Sequence, residues 1–351
     1  MEFAFTDEQA MIAETAQSFF RENATSVRTR AAMKADGIDR ALWTAFCQEL
    51  GLSGVGLPEE YGGAGLGMVE FAILAEAAGA QVAAIPLLGL VTAARAIAAG
   101  GSDTQKAEWL PRLISGEAIA AAESVPAMRF EGGKLTGVID PVPHGAVADL
   151  FVIVAPGHAW LVRADAPGVS VKPYVTMDQT RPMACVTLEG AAAEELADPE
   201  SAIAALTSGG WLCLAAEALG GAQEALARTV DYAKERVQFG RAIGSFQAYK
   251  HRLADMMIEI EQARSAVYWA ACAMDEQSVE AALALHAAKS FCADTYVMCA
   301  GNMIQLHGGI GFTWEHDAHL FFKRARSILS MLGSGNFHRE QVAQMVLGEA
   351  A

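Results

Sequence analysis

Apolar residues recur every three or four positions along most of this chain, and that period predicts amphipathic helices. "FTDEQAMIAETAQSFFREN" opens with Thr6 as an N-cap and with Asp7 and Glu8 in the first turn. A second helix fits "DRALWTAFCQELG", closed by Gly51. "GLPEEYGGAGLG" interrupts the period as a turn-rich break. The period returns in "MVEFAILAEAAGAQ", "TAARAIAAGGS" and "DTQKAEWLPRLISGE". Residues 1–120 therefore read as an N-terminal helical domain.

Between residues 121 and 195 the helical period gives way to short apolar runs. "LFVIVA", "AWLVRA", "VSVKPY" and "ACVTLEG" are short, β-branched and separated by Gly, Pro, Asp and His turns. They predict a small β-domain, too small to bury much surface alone and in need of helical cover. From residue 196 to 351 the helical period resumes in three long stretches, beginning at Ser201, Phe246 and Val279. Their lengths suit an antiparallel bundle with a spare face. The fold class is mainly α with a small central β-domain.

Composition narrows the function. Hydrophobic residues make up 53% and charged residues 19% of 351 residues, so the chain buries a large interior and is not disordered. A formal net charge of −16 excludes nucleic acid as the main partner. A phosphate-bearing ligand would need local cations or backbone N–H groups aimed at it. The cysteines at 47, 185, 213, 272, 292 and 299 form no CxxC pair, and several fall in apolar helices. That pattern predicts free thiols and a reducing, cytoplasmic setting. Met1 to Phe20 carries acids at helical spacing and is not a signal peptide, and the Ala-rich runs are too interrupted to span a bilayer.

Two stretches break the helical pattern: "RVQFGRAIGSFQAYKHRLADM", Arg236 to Met256, and "QLHGGIGFTWEHDAHLFFKRAR", Gln305 to Arg326. With "LPEEYGGAGL" and the order helical, β, helical, they resemble the acyl-CoA dehydrogenase family of flavoproteins over nearly the whole chain. The resemblance implies FAD at a subunit interface. Arg236 matches the arginine that neutralises the pyrophosphate, and Gln238 and Phe239 match its neighbours on the adenosine side. Phe246 and Gln247 match a further flavin-contacting pair. Gln305, Leu306, His307, Gly308 and Gly309 match a Gln-x-x-Gly-Gly segment that approaches the cofactor from the adjacent subunit. The chemistry agrees: a guanidinium binds diphosphate oxygens through two N–H groups. Paired glycines admit a bulky ligand and offer N–H donors.

Taken singly, Arg236 reads as a solvated helix-end charge and Gly308–Gly309 as a helix C-cap; their order and context favour the cofactor. "GGIG" follows no strand and is not a dinucleotide fingerprint. Glu315, His316 and His319 lack further ligands at a metal-binding spacing and read as a solvated helical face. Trp211, Trp269 and Trp314 read as packing residues, with Trp314 near enough to the glycines to line a cofactor cleft.

The family reaction removes a proton from the acyl α-carbon and a hydride from the β-carbon, and needs a base. That base is usually a glutamate just after the second motif, where "SILSMLGSGN" places Leu332. The alternative family position falls at or beside Gly210, where Gly209, Gly210 and Trp211 supply no base. Glu217, two turns on, is the nearest carboxylate, and it reads more readily as a polar residue at a subunit contact. The β-domain also departs from the pattern: "AAAESVPAMRFEGGKLTGVIDPVPHG" offers only Glu123 and Ser124 before Pro126, in a shortened stretch.

These losses resemble the short subunits of two-component acyl-CoA dehydrogenases, α2β2 heterotetramers in which the partner supplies the glutamate and most of the substrate pocket. The resemblance implies an acyl-CoA substrate with a bulky or steroid side chain and an electron-transfer flavoprotein as acceptor. Two readings stand beside it. One is an active homotetramer with a relocated base such as Glu217; the other is a catalytically silent scaffold.

Overall fold

The computed structural model describes residues 5–348. The opening of the Met1–Phe20 stretch and the last three residues lie outside that range. In chain order the elements begin with α1 (Asp7–Asn23), α2 (Ser26–Lys34), α3 (Arg40–Ala45), α4 (Met68–Ala80), α5 (Leu87–Gly100) and α6 (Asp103–Ile114). Eight strands follow: β1 (Ala120–Ser124), β2 (Arg129–Glu131), β3 (Lys134–Pro143), β4 (Leu150–Ala155), β5 (His158–Arg163), β6 (Val169–Pro173), β7 (Met183–Ala192) and β8 (Glu194–Glu195). Then come α7 (Pro199–Glu235), the short strands β9 (Val237–Gln238) and β10 (Arg241–Ala242), α8 (Gln247–Asp275), α9 (Ala281–His307), α10 (Ala318–Ser330) and α11 (Gly335–Leu347). The mainly helical class with a small β-domain is as the periodicity predicts.

The three sequence regions fold into two compact units. One comprises Val27–Gly67 and Ala84–Gly210; the other comprises the chain up to Ser26, Met68–Ala83 and the chain from Trp211 onward.

In the first unit, Asp39 caps α3 by accepting from the Leu42 N–H at 2.9 Å. A π-type turn, Phe46–Leu50, then ends at Gly51 with φ 68°, the left-handed conformation expected of a closing glycine. The strands form two four-stranded sheets, ordered β1-β4-β5-β8 and β2-β3-β7-β6. Their inward residues, among them Leu135, Ile139, Phe151, Ile153, Trp160, Val186 and Leu188, fill one shared core. β4 to β7 fall where the short β-branched runs predict them. β1 is parallel to β4 and was not legible as a strand, because "AAAES" has poor β-propensity. Its small residues suit a close helix: a Cβ on Gly89 of α5 would collide with the Ala120 carbonyl. That contact is the helical cover a small β-domain requires.

In the second unit, Thr6 and Gln9 form a reciprocal capping box on α1, with bonds of 3.2 and 3.1 Å. Asp275 at the end of α8 caps α4, accepting from the Met68 and Val69 N–H groups at 2.7 and 3.0 Å. Helix α7 packs tightly because its glycines admit neighbours: a Cβ on Gly220 would strike the Glu76 carbonyl, and one on Gly221 the Tyr296 ring. Glu76 accepts from Tyr268 Oη at 2.6 Å and Arg264 at 3.0 Å, which ties α4 to α8. Among the described residues only Pro199–Glu235 is long and apolar enough to span a bilayer. Since 67% of its most apolar window is buried in this chain, it is built as a core helix.

Candidate functional site

Helix α7 ends at Glu235, and the backbone turns at once into the β9–β10 hairpin. Its two turn residues, Phe239 and Gly240, have φ 52° and 80°. Two consecutive positive φ values are those of the tight hairpin turn that favours Asn-Gly. Phe239 is a poor residue for that position, and its ring is 91% exposed. It meets Phe246 edge-on at 6.2 Å, and the Arg241 guanidinium lies over the Phe246 ring at 3.9 Å. Arg236, Gln238 and Gln247 are exposed beside it. Arg236 makes no ion pair with any described residue, in a protein whose net charge is −16.

The second motif ends α9. Gly308 has φ 64° and ψ −143°, a region that only glycine reaches without strain. A Cβ on Gly308 or Gly309 would meet nothing within 4 Å. No neighbour among the described residues demands small residues there, so the bare backbone faces outward. Gln305 is exposed, as are Ile310, Phe312 and Trp314; Phe312 is 84% exposed. Lys323 lies 4.1 Å over the Trp314 ring.

Two tyrosines bring the motifs together. Tyr232, near the end of α7, donates to the His307 carbonyl at 3.3 Å and stacks on the His307 ring at 4.4 Å. Tyr249, in the first turn of α8, donates to the Leu306 carbonyl at 3.0 Å. Burial pushes the Tyr249 phenol up to about 12, so it stays a donor. Neither tyrosine stands out in the sequence. Each lies about one helical turn from a motif residue, Arg236 or Phe246, and that spacing is the only signal for it.

The surface so formed holds Arg236, Gln238, Phe239, Gln247, Gln305, Gly308 and Gly309, with Phe246 half-buried behind them. It does not hold the whole second motif. Leu306 is half-buried, and His307 is buried with Nδ1 2.7 Å from the Met303 carbonyl, so that nitrogen carries the hydrogen. Burial also lowers the His307 pKa below the ordinary 6.5. Their carbonyls receive the tyrosine bonds, so these two residues shape the surface from beneath.

The base positions are filled differently. Leu332, at φ 49°, presents its carbonyl to Trp211 Nε1 at 2.9 Å and His338 Nε2 at 3.1 Å. A Cβ on Gly209 would press on the flexible Arg95 side chain, which would have to move to admit a larger residue. Glu217 is 6% exposed and paired with Arg324, itself 1% exposed. It lies within its own chain's core instead of at a subunit contact, because the guanidinium supplies the countercharge that burial requires. Glu123, on β1, has its carboxyl pushed up to about 7 by burial. His316 meets the His307 ring at a tilt, 4.5 Å between centroids, and His319 packs edge-on against Trp314 at 4.7 Å; among the described residues no cluster suits a metal.

Comparison with known proteins fits this arrangement. Family models for the acyl-CoA dehydrogenase N-terminal and C-terminal domains match residues 6–117 and 201–347. The chain is 38% identical over 331 residues to acyl-CoA dehydrogenase IpdE2 of Mycobacterium tuberculosis, covering 93% of this chain and 94% of that protein. Among solved structures it resembles a chain of the Tcur3481–Tcur3483 steroid acyl-CoA dehydrogenase G363A variant, with TM-score 0.88 and 31% identity over 97% of this chain and 98% of that one. It also resembles a chain of the ChsE4–ChsE5 complex of Mycobacterium tuberculosis, with TM-score 0.90 and 28% identity over the full length of both. The chain belongs to the acyl-CoA dehydrogenase family, whose members are FAD-dependent oxidoreductases acting on acyl-CoA.

Proposed function

We propose that this chain is the subunit without a base in a two-component acyl-CoA dehydrogenase. It lends one wall to a flavin site that a second acyl-CoA dehydrogenase-like chain completes. The observation that carries this reading is Phe239, an aromatic ring 91% exposed on a left-handed turn. Such a residue costs the isolated chain both strain and hydration, and gains only when something outside the chain covers it.

The exposed residues fit FAD. Arg236 would pair with the pyrophosphate, the group an acidic protein otherwise repels. Gln238 and Phe239 would flank the adenosine side, with Phe246 and Gln247 beyond them. Gln305 and the bare N–H groups of Gly308 and Gly309 would approach from the second motif. When bound, FAD accepts the hydride lost from the acyl β-carbon. This chain's residues bind and orient; the α-proton needs a base, and the two family positions hold Leu332 and the glycine pair Gly209–Gly210. The partner subunit supplies that glutamate in an α2β2 assembly.

Similarity to a chain of the ChsE4–ChsE5 complex supports the two-chain arrangement, and similarity to a steroid acyl-CoA dehydrogenase supports a bulky, steroid-type acyl-CoA as substrate. Electrons would pass on to an electron-transfer flavoprotein. Six free thiols support a reducing, cytoplasmic location.

The test is co-purification with the product of a neighbouring acyl-CoA dehydrogenase-like gene, read by visible spectrum and native mass. The expected result is flavin and turnover only in the mixed heterotetramer. Strong, flavin-replete turnover by this chain alone would overturn the proposal.

A further inference from the structure

Behind Leu332 lies a buried cluster for which the flavin surface has no use. Lys289 is fully buried on α9, with His286 one turn before it. His338 is fully buried on α11, and Trp211 lies on α7. Their donors converge on one short turn. Trp211 Nε1 and His338 Nε2 both reach the Leu332 carbonyl, at 2.9 and 3.1 Å. Lys289 Nζ reaches the Ile328 carbonyl at 3.1 Å and the Gly333 carbonyl at 3.4 Å. The His338 ring also presses on the turn, where a Cβ on Gly333 would come within 2.9 Å of Nε2. The turn needs holding, since Leu332 and Gly333 have φ 49° and 105° and the first of these is costly for leucine.

The protons in the cluster are fixed by elimination. A carbonyl only accepts, so His338 Nε2 carries a hydrogen. His338 Nδ1 lies 2.8 Å from His286 Nδ1, and in a neutral His338 that atom accepts, so His286 Nδ1 donates. While His286 keeps its hydrogen on Nδ1, a second proton on His338 would set two N–H groups face to face. It would also add a charge beside the Lys289 ammonium. Burial, Lys289 and His286 together push His338 down to about 4, and burial lowers His286 below 6.5. Burial brings Lys289 down to about 8, opposed by Cys292 and Asp294, so it remains mostly charged at neutral pH. Asp294 is itself paired with Arg339 at 2.6 Å.

We propose that Trp211, Lys289 and His338 are positioning residues that clamp the Met331–Gly333 turn, and that acid releases the clamp by splitting the His286–His338 pair. That the held turn borders the reacting acyl group rests on the function proposed above; the clamp itself does not.

The experiment has two arms. The first uses the chain with 15N-labelled histidine, recording ring nitrogen shifts and amide hydrogen exchange against pH. His338 should stay a neutral Nε2–H tautomer to about pH 5, and exchange at residues 331–334 should accelerate as it protonates near 4 while the α9 core stays protected. Lys289→Met should raise the His338 pKa, and His338→Leu should speed exchange at the turn at neutral pH by about tenfold, the effect of one lost hydrogen bond. His338→Gln, whose amide N–H can stand in for Nε2–H, should restore protection. Titration of His338 near 6.5, or protonation without change at the turn, overturns the clamp. The second arm measures the flavin-loaded two-chain enzyme. His338→Leu should lower kcat more than it raises KM, with rescue by His338→Gln. Unchanged kcat beside a loosened turn would uphold the clamp and overturn only its placement at the acyl group.

Discussion

Replacing Phe239 with Asn separates what the hairpin needs from what the binding surface needs. In the free chain the turn residue pays for a left-handed backbone, about 1–2 kcal/mol for an ordinary L-residue. Asn tolerates that conformation and with Gly240 makes the pair most favoured in this turn. Allowing for the lost edge contact with Phe246, the free chain should gain about 0.5–1 kcal/mol, read as a higher urea midpoint with unchanged slope. The assembled enzyme should respond in the opposite sense. A ring that is 91% exposed in the chain and covered in the complex is worth about 2–3 kcal/mol. At 1.4 kcal/mol per decade, FAD should bind the two-chain assembly roughly 30- to 100-fold more weakly, read by flavin fluorescence titration. A stabler chain that bound flavin within about threefold of the native value would refute the claim that this ring serves a surface outside its own chain. A less stable chain would refute the strain argument.

Other substitutions test the remaining placements. Glu217→Gln should destabilise the chain by about 3–5 kcal/mol, because it removes a buried carboxylate from the buried Arg324 guanidinium; joint replacement with Arg324→Met should recover much of that. A relocated base would instead cost turnover and leave the urea midpoint alone. Leu332→Gly should stabilise the chain by about 1 kcal/mol, read as a higher urea midpoint, by relieving the φ of 49°. Glu123→Gln should stabilise the chain at pH 8, on the order of 1–3 kcal/mol, and leave it unchanged at pH 4. The sign follows from a carboxyl raised to about 7: the fold favours its neutral form, so stability falls as pH rises from 4.5 through 7. An equal effect at both pH values would show that ionisation of Glu123 is not involved.

Most of the helices and the four strands β4 to β7 were legible because their signals are local: the 3.6 period, short β-branched runs between turn residues, the Thr6 cap, the closing Gly51. The candidate surface was read differently, from the resemblance of two motifs, since taken singly Arg236 and Gly308 look like ordinary helix-end residues. Only the structure adds that, among the described residues, Arg236 has no ion pair, Phe239 is exposed at φ 52°, and nothing crowds Gly308. What local pattern does not reveal is any role assigned by a distant neighbour. Alanine-rich β1 is a strand only because β4 lies beside it and α5 covers it. Tyr232 and Tyr249 join the two motifs only after α7, α8 and α9 have packed. Glu217 becomes structural only when Arg324 arrives from α10.

The same distinction explains why Leu332 carries more information in the structure than in the sequence. In the sequence it marks an absent base. In the structure its carbonyl takes two side-chain donors, its neighbour Gly333 takes part of a third, and its backbone is held in a conformation leucine disfavours. A turn that had lost all purpose would relax, since ordering three donors onto strained backbone costs conformational entropy and desolvation. Under the function proposed above, a held backbone past this point is expected of a subunit that shapes the acyl site without supplying the base. A silent scaffold would need neither the clamp nor an exposed Arg236.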